Sequence, residues 1–346
     1  MHSAKRFFRR WQNWLALFLV ALFLGMAIAA PLISPIEPSP ENRRLLGNRP
    51  DPIPRPPSAE EPLGTLPKEI SVFHQVVWGS RSALSYGLGV TVIIATIGTL
   101  IGMVSAYLGG WIGRLLMWIT DSFMAFPVIA GVVLINQVLM YFWERLLSGT
   151  VAEGVLQNLP PGQTTQQYLD FLIVWVQKAP ALTPGEATQQ LLYSLFIWVQ
   201  RVPPLAVAFV LFLWMPYARV MHVSVLQKLK MEYILAAKVS GVRNWRILWR
   251  HLIPNAIGPV VVMAAKDIGA VVVLQSAFNF AQLGVGGSPW SGILIAGKDY
   301  LYAPGGLVNY WWLFLPATTA IILFGVAWNL LGDGINEAMN PMLTNR

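Results

Sequence analysis

The amino-acid sequence predicts an all-α polytopic membrane protein with six transmembrane helices. Three observations carry that expectation. Hydrophobic residues make up 55% of the 346 positions and charged residues only 12%, against about 25% charged in an ordinary soluble domain. Six apolar runs reach the ~20 residues that a helix needs to cross a bilayer core. None of these runs alternates apolar with polar residues, as barrel strands would. Fifteen Trp and ten Tyr fit the same class, because these side chains gather at bilayer interfaces.

The runs lie at roughly 14–33, 84–108, 115–140, 203–224, 256–281 and 311–332. Lys5, Arg6, Arg9 and Arg10 precede the first, which contains Ala27-Ile28-Ala29 and so resembles a cleavable signal peptide. The apolar run continues to Ile33, long enough to span, and residues 1–33 are read as an uncleaved N-terminal transmembrane helix. Ten prolines within 34–68 make 34–80 an extended extracytoplasmic linker. Residues 81–343 form the core domain, with a tight turn from Gly109 to Gly113, an extracytoplasmic insertion at 142–203 and a basic cytoplasmic loop at 225–255. Residues 282–310 are read as external, and the tail from Gly332 as internal.

The insertion contains a repeat. LPPGQTTQQYLDFLIVWVQKAP (159–180) aligns with LTPGEATQQLLYSLFIWVQRVP (182–203), with 12 identities in 22 positions. Leu169, Leu172, Trp175 and Val176 recur at helical spacing, as do Leu192, Leu195, Trp198 and Val199. Each helix is too short to span, which predicts a helical hairpin on the outer face, with a re-entrant element as the alternative.

The net charge of +8 is distributed between the apolar runs. This pattern points to membrane orientation rather than nucleic acid. Of 24 Lys and Arg, 13 fall on the side assigned to the cytoplasm. Arg219, Lys228, Lys230, Lys238, Arg243, Arg246 and Arg250 are concentrated there. The sequence contains no Cys, which excludes disulfides and thiolate chemistry.

The stretch MEYILAAKVSGVRNWRILWRHLIPNAIGPVVV (231–262) resembles the cytoplasmic signature loop of ABC importer permeases. Ala236-Ala237, Gly241 and Ile253-Pro254 match that pattern; Leu235 replaces its commonest Glu, leaving Glu232 as the nearest carboxylate. Taken alone, such a basic loop is equally one held by anionic lipid. Further motifs carry the resemblance to the C-type permease subunit of the dipeptide, oligopeptide and nickel importers. They are LGT (63–65), GSRSALSYGLGV (79–90), AYLGGWIGRLLMWITDSFMAFP (106–127), WMPYAR (214–219), LGVG (283–286) and NLLGDGINEAMNP (329–341). The resemblance covers nearly all of 60–135 and 204–343; the 142–203 insertion has no counterpart in it.

The resemblance implies a type I ABC importer permease fold and a transport role without catalysis or cofactor in this chain. It implies a homologous second permease subunit, two ABC ATPase subunits and an extracytoplasmic solute-binding protein as partners, with membrane lipid around them. It assigns Glu232, Ala236, Ala237, Gly241 and Pro254 to the ATPase-coupling loop. Peptides are the expected solutes, and nickel or another small solute the alternative.

Lys266 and Asp267 fall within the fifth run. Charge at that depth is costly and marks a candidate pathway site, or else a local pairing with water or a neighbouring subunit. His2, His74, His222 and His251 show no metal-ligand spacing, and His222 and His251 flank the basic loop, facing headgroups or partners. Gly98 and Gly102 form a GxxxG pattern that permits close helix approach. GILIAGKD (292–299) approaches a phosphate-binding loop, but Asp299 stands where Ser or Thr must hold magnesium. A secondary transporter would need coupling-ion residues and inverted repeats. An intramembrane enzyme would need paired carboxylates or a nucleophile with its base.

Overall fold

The computed structural model describes residues 7, 8, 10–35, 53–146, 203–283 and 288–339. Among them, five helices are long and apolar enough to cross a membrane, or six if one sharply bent pair makes a single span. The repeat at 159–180 and 182–203 lies outside the described residues.

Helix α1 (Trp11–Ile33) buries Ala16, Val20, Phe23, Ala27 and Ala30 and leaves Phe18, Ile28 and Leu32 exposed. This is a single packed stripe at helical spacing with lipid-compatible residues elsewhere. Helix α2 (Val72–Leu108) begins well before the expected edge at 84. Its N-cap is Ser71, whose hydroxyl accepts from the His74 amide at 3.4 Å. At 37 residues it is about 55 Å long, so it extends beyond the ~30 Å hydrocarbon layer. A turn at Gly109 and Gly110, both with positive φ, leads into α3 (Gly110–Ala125).

The third apolar run departs from expectation. It is not one straight span over 115–140: α3 stops at Ala125, and α4 (Val128–Leu146) leaves at 88°. Pro127 causes the break, since it has no N–H to donate and disfavours helical geometry at Phe126, which is extended at φ −76°, ψ 138°. Helices α5 (Pro204–Leu213) and α6 (Met215–Leu229) join through Trp214, itself in helical geometry, into one 26-residue span. Arg219, counted with the cytoplasmic Lys and Arg, lies inside this span. After the short helix α7 (Glu232–Val239) come α8 (Gly258–Phe280), α9 (Pro289–Gly297) and α10 (Leu315–Met339).

Two of the three packed centres among the described residues join the spanning helices. In one, α2, α5, α6 and α8 contribute Ile94, Leu205, Phe209, Tyr217, Met221 and Val271. In the other, α1, α9 and α10 meet through Phe23, Trp290 and Phe324, whose rings are 5.2–5.8 Å apart in edge-to-face contacts. A close helix crossing falls at the GxxxG pattern. A Cβ on Gly98 would lie 2.3 Å from the Trp214 carbonyl oxygen, and one on Gly102 would lie 2.2 Å from that of Ala218. Only glycine lets α2 and α6 come so near.

Contacts between distant residues identify the two ends of the bundle. Arg10 pairs with Glu337 at 2.5 Å, and Met339 packs over Gly258, so 10, 258 and 339 share the end that carries α7, the loop end. At the linker end, Ser34 hydrogen-bonds His74, Trp78 donates to the Ser34 carbonyl at 2.9 Å and Trp312 donates to that of Thr65 at 3.3 Å.

Candidate functional site

The segment between α6 and α8 begins where α6 ends at Leu229. Helix α7 then follows, with eight residues or about 12 Å. Ile234 is fully buried and anchors it in the packed centre that also holds Met221, Val225, Ile247, Leu248 and Leu252. One turn on, Ala237 is half-buried against the same centre. The outward face consists of Glu232, Tyr233, Leu235, Ala236 and Val239, the last 90% exposed. Of the two alanines, Ala236 alone belongs to that face, because neighbours on a helix point about 100° apart.

Gly241 stops the helix. Its φ of +72° is the left-handed geometry that favours glycine. Just before and after it, the Ser240 and Val242 amides donate to the carbonyls of Ala236 and Ala237 at 2.9 and 3.1 Å. The chain then returns through the helical turn Asn244–Ile247, a wider π-type turn at Leu248–Leu252 and the turn Ile253–Ala256. Pro254 follows directly on the π-type turn and, having no N–H, cannot continue its hydrogen-bond ladder. Arg243, Arg246, Trp249 and Arg250 are exposed. The loop end thus presents a short apolar helix beside exposed arginines.

The candidate pathway charges find partners within the chain. Asp267 accepts a hydrogen bond from the buried Tyr217 hydroxyl at 2.6 Å, tying α8 to α6. Lys266 pairs with Asp333 of α10 at 2.5 Å, its stem lying over Gly332. A second ion pair joins α3 to α6, Asp121 to Arg219 at 2.7 Å. His222 also turns inward: its Nδ1 lies 2.7 Å from the Ser105 hydroxyl of α2, so it links two helices rather than facing headgroups. Tyr217, Asp333 and Asp121 lie within the strings WMPYAR, NLLGDGINEAMNP and AYLGGWIGRLLMWITDSFMAFP, but only three-dimensional packing pairs them with residues 50, 67 and 98 positions away. Gln275 is buried in α8. Most of GILIAGKD lies within the helix α9, and Lys298 opens a 3₁₀ turn, so the string is not a phosphate-cradling loop.

Comparison with known proteins places this geometry in context. The model of the binding-protein-dependent transport system inner membrane component family matches residues 98–345, a region that contains α7 and every ion pair named above except that of Arg10 with Glu337. A putative peptide transport system permease protein of Brucella suis is 26% identical over 99% of this chain and 91% of its own. The dipeptide transport system permease protein DppC of Bacillus subtilis is 27% identical over 94% of this chain and 81% of its own. The oligopeptide transport system permease protein OppC of the same organism is 25% identical over 94% of this chain and 84% of its own.

Proposed function

We propose, from the premise that the chain belongs to the family of inner-membrane components of binding-protein-dependent transport systems, that it is a non-catalytic permease subunit of a peptide importer. Its relatives in Brucella and Bacillus, named as peptide, dipeptide and oligopeptide permeases, support peptides as the solute class. The chain pairs with a homologous permease, takes solute from an extracytoplasmic binding protein and docks two ABC ATPases at the loop end. That end, with both termini, faces the cytoplasm, and the linker end faces outward.

The observation that carries this reading is α7. A helix held by the fully buried Ile234, with Tyr233, Leu235 and Val239 exposed on the other side, offers another protein an apolar face on a rigid mount. The neighbouring arginines supply charge at its edge. In the transport cycle, ATPases that close on ATP would move α7, and the packed centre behind Ile234 would pass that motion to α6 and α8. Glu232, Ala236, Ala237, Gly241 and Pro254 hold roles as parts of this segment: exposed face, inward packing, helix stop and return turn.

The test is co-purification with orientation. The tagged chain, expressed with its neighbouring genes, should retain an ATPase, and Ala236→Trp, on the exposed face of α7, should release it while the protein still inserts. Reporters fused near Arg243 or after Arg346 should read as cytoplasmic, and one near Gly162 as external. An external signal at Arg243 would overturn orientation and docking together.

A further inference from the structure

We infer that the face formed by the α3–α4 break and the Asp121–Arg219 pair lines a water-filled translocation pathway, an assignment that rests on the permease reading above. Two independent observations meet there. The first is the backbone. Between Ala125 and Val128 the helix is interrupted within an apolar hairpin bent by 88°. The last carbonyls of α3 and the first amides of α4 have no helical partners at such a break. In hydrocarbon, irregular backbone persists only where protein buries it or water reaches it. This chain does not bury it: Phe123, Met124, Phe126 and Ile129 are 47%, 38%, 45% and 66% exposed.

The second observation is the ion pair. Arg219 stands about 15 Å along α6 from Leu229, and Asp121 about 16 Å along α3 from Gly110, depths comparable with half a hydrocarbon layer. Their side chains are 54% and 45% exposed, and they meet at 2.7 Å. A half-exposed pair facing acyl chains is costly, whereas one facing water is not. Both features occupy one face. Phe212 and Arg219 are seven residues apart, two turns of a nearly continuous helix, and both address α3. Phe212 meets Phe123 and Phe126 with ring centroids at 6.4 and 6.2 Å and lies over Gly131.

Such a wall suits a passing peptide. The cation and anion satisfy each other, so the wall has no net charge to trap a zwitterion. Aromatic rings beside them provide a surface for side chains of many kinds.

The absence of native Cys makes the test clean. Met124→Cys and Ile129→Cys would be introduced singly into the assembled transporter in proteoliposomes. A membrane-impermeant cationic methanethiosulfonate would be added from each side, and the mass shift of this chain followed with time. Ile322→Cys, at an equally exposed apolar position of α10 (56%), serves as the control. The expected result is modification of positions 124 and 129 at least ten-fold faster than position 322, from a side that switches between the nucleotide-free and the vanadate-trapped states. Rates no faster than the control in both states, from both sides, would overturn the assignment. Labelling this chain reconstituted without ATPases tests the wet face by itself, and the switch with nucleotide tests the permease reading, so the two fail separately.

Discussion

Gly102 and Gly241 use the same residue for opposite physical reasons. A Cβ on Gly102 would lie 2.2 Å from the Ala218 carbonyl oxygen, yet a Cβ on Gly241 would meet nothing within 4 Å. At Gly102 the constraint is volume: α2 and α6 cross so closely that no side chain fits. At Gly241 the constraint is backbone geometry, a φ of +72° that ends α7 in open space. The difference separates what holds the bundle together from what works at its end. Lipid tails are as apolar as Leu, so helices in a membrane associate by close packing rather than by escape from water. The projecting helix, in contrast, needs only a defined stop and an uncovered face.

The sharpest way to break this comparison is to fill the crossing. Gly102→Val must separate α2 from α6 or displace Ala218, and overpacking of this kind costs about 3 kcal/mol at the upper end of its usual range. The expected outcome is a marked fall in thermal midpoint in detergent and in the amount of protein retained in membranes. A wild-type midpoint would mean that the crossing is looser than the 2.2 Å approach implies.

The complementary change, Gly241→Val, should act on function before stability. A β-branched residue held at positive φ costs roughly 1–2 kcal/mol, confined to an exposed turn. The protein should insert and melt nearly as wild type, but α7 should lose its fixed end and with it ATPase retention and uptake. Gly241→Asn should be milder, since Asn tolerates this geometry. Retention of the ATPase at wild-type levels in both variants would remove the docking role from α7.

Much of this contrast was legible in the sequence. The GxxxG spacing announced the crossing. The apolar runs located five spans, because burial in lipid imposes length and composition on every spanning helix. The third run was misread as continuous, since apolar residues dominate on both sides of residue 127 and only Pro127 marks the break. The inward turn of Ala237 was also hidden: it depends on Ile234, three residues earlier, being drawn into the core. Nor could spacing reveal that Asp267 meets Tyr217, or Lys266 meets Asp333. Those partners come from other helices, and helix rotation about its axis is settled by packing against neighbours.

The smallest expected effect concerns the Lys266–Asp333 pair. Its side chains are 36% and 54% exposed, and the Lys stem can extend along Gly332 toward the loop end. A pair this exposed in water is worth about 0.2–1 kcal/mol after solvent screening. Lys266→Met and Asp333→Asn, made singly and together, form a double-mutant cycle that isolates the pairwise energy. Thermal midpoints in nanodiscs should yield a coupling below about 1 kcal/mol that shrinks as salt is raised. This small value would sharpen the division drawn above, in which close packing rather than charge secures the bundle. A coupling of several kcal/mol, insensitive to salt, would instead mean that the pair is screened from water in the membrane, as a buried pair broken on one side behaves. The cover would then have to be lipid or a second subunit against α8 and α10, and this pair would join the Gly102 crossing among the interactions that hold the assembly.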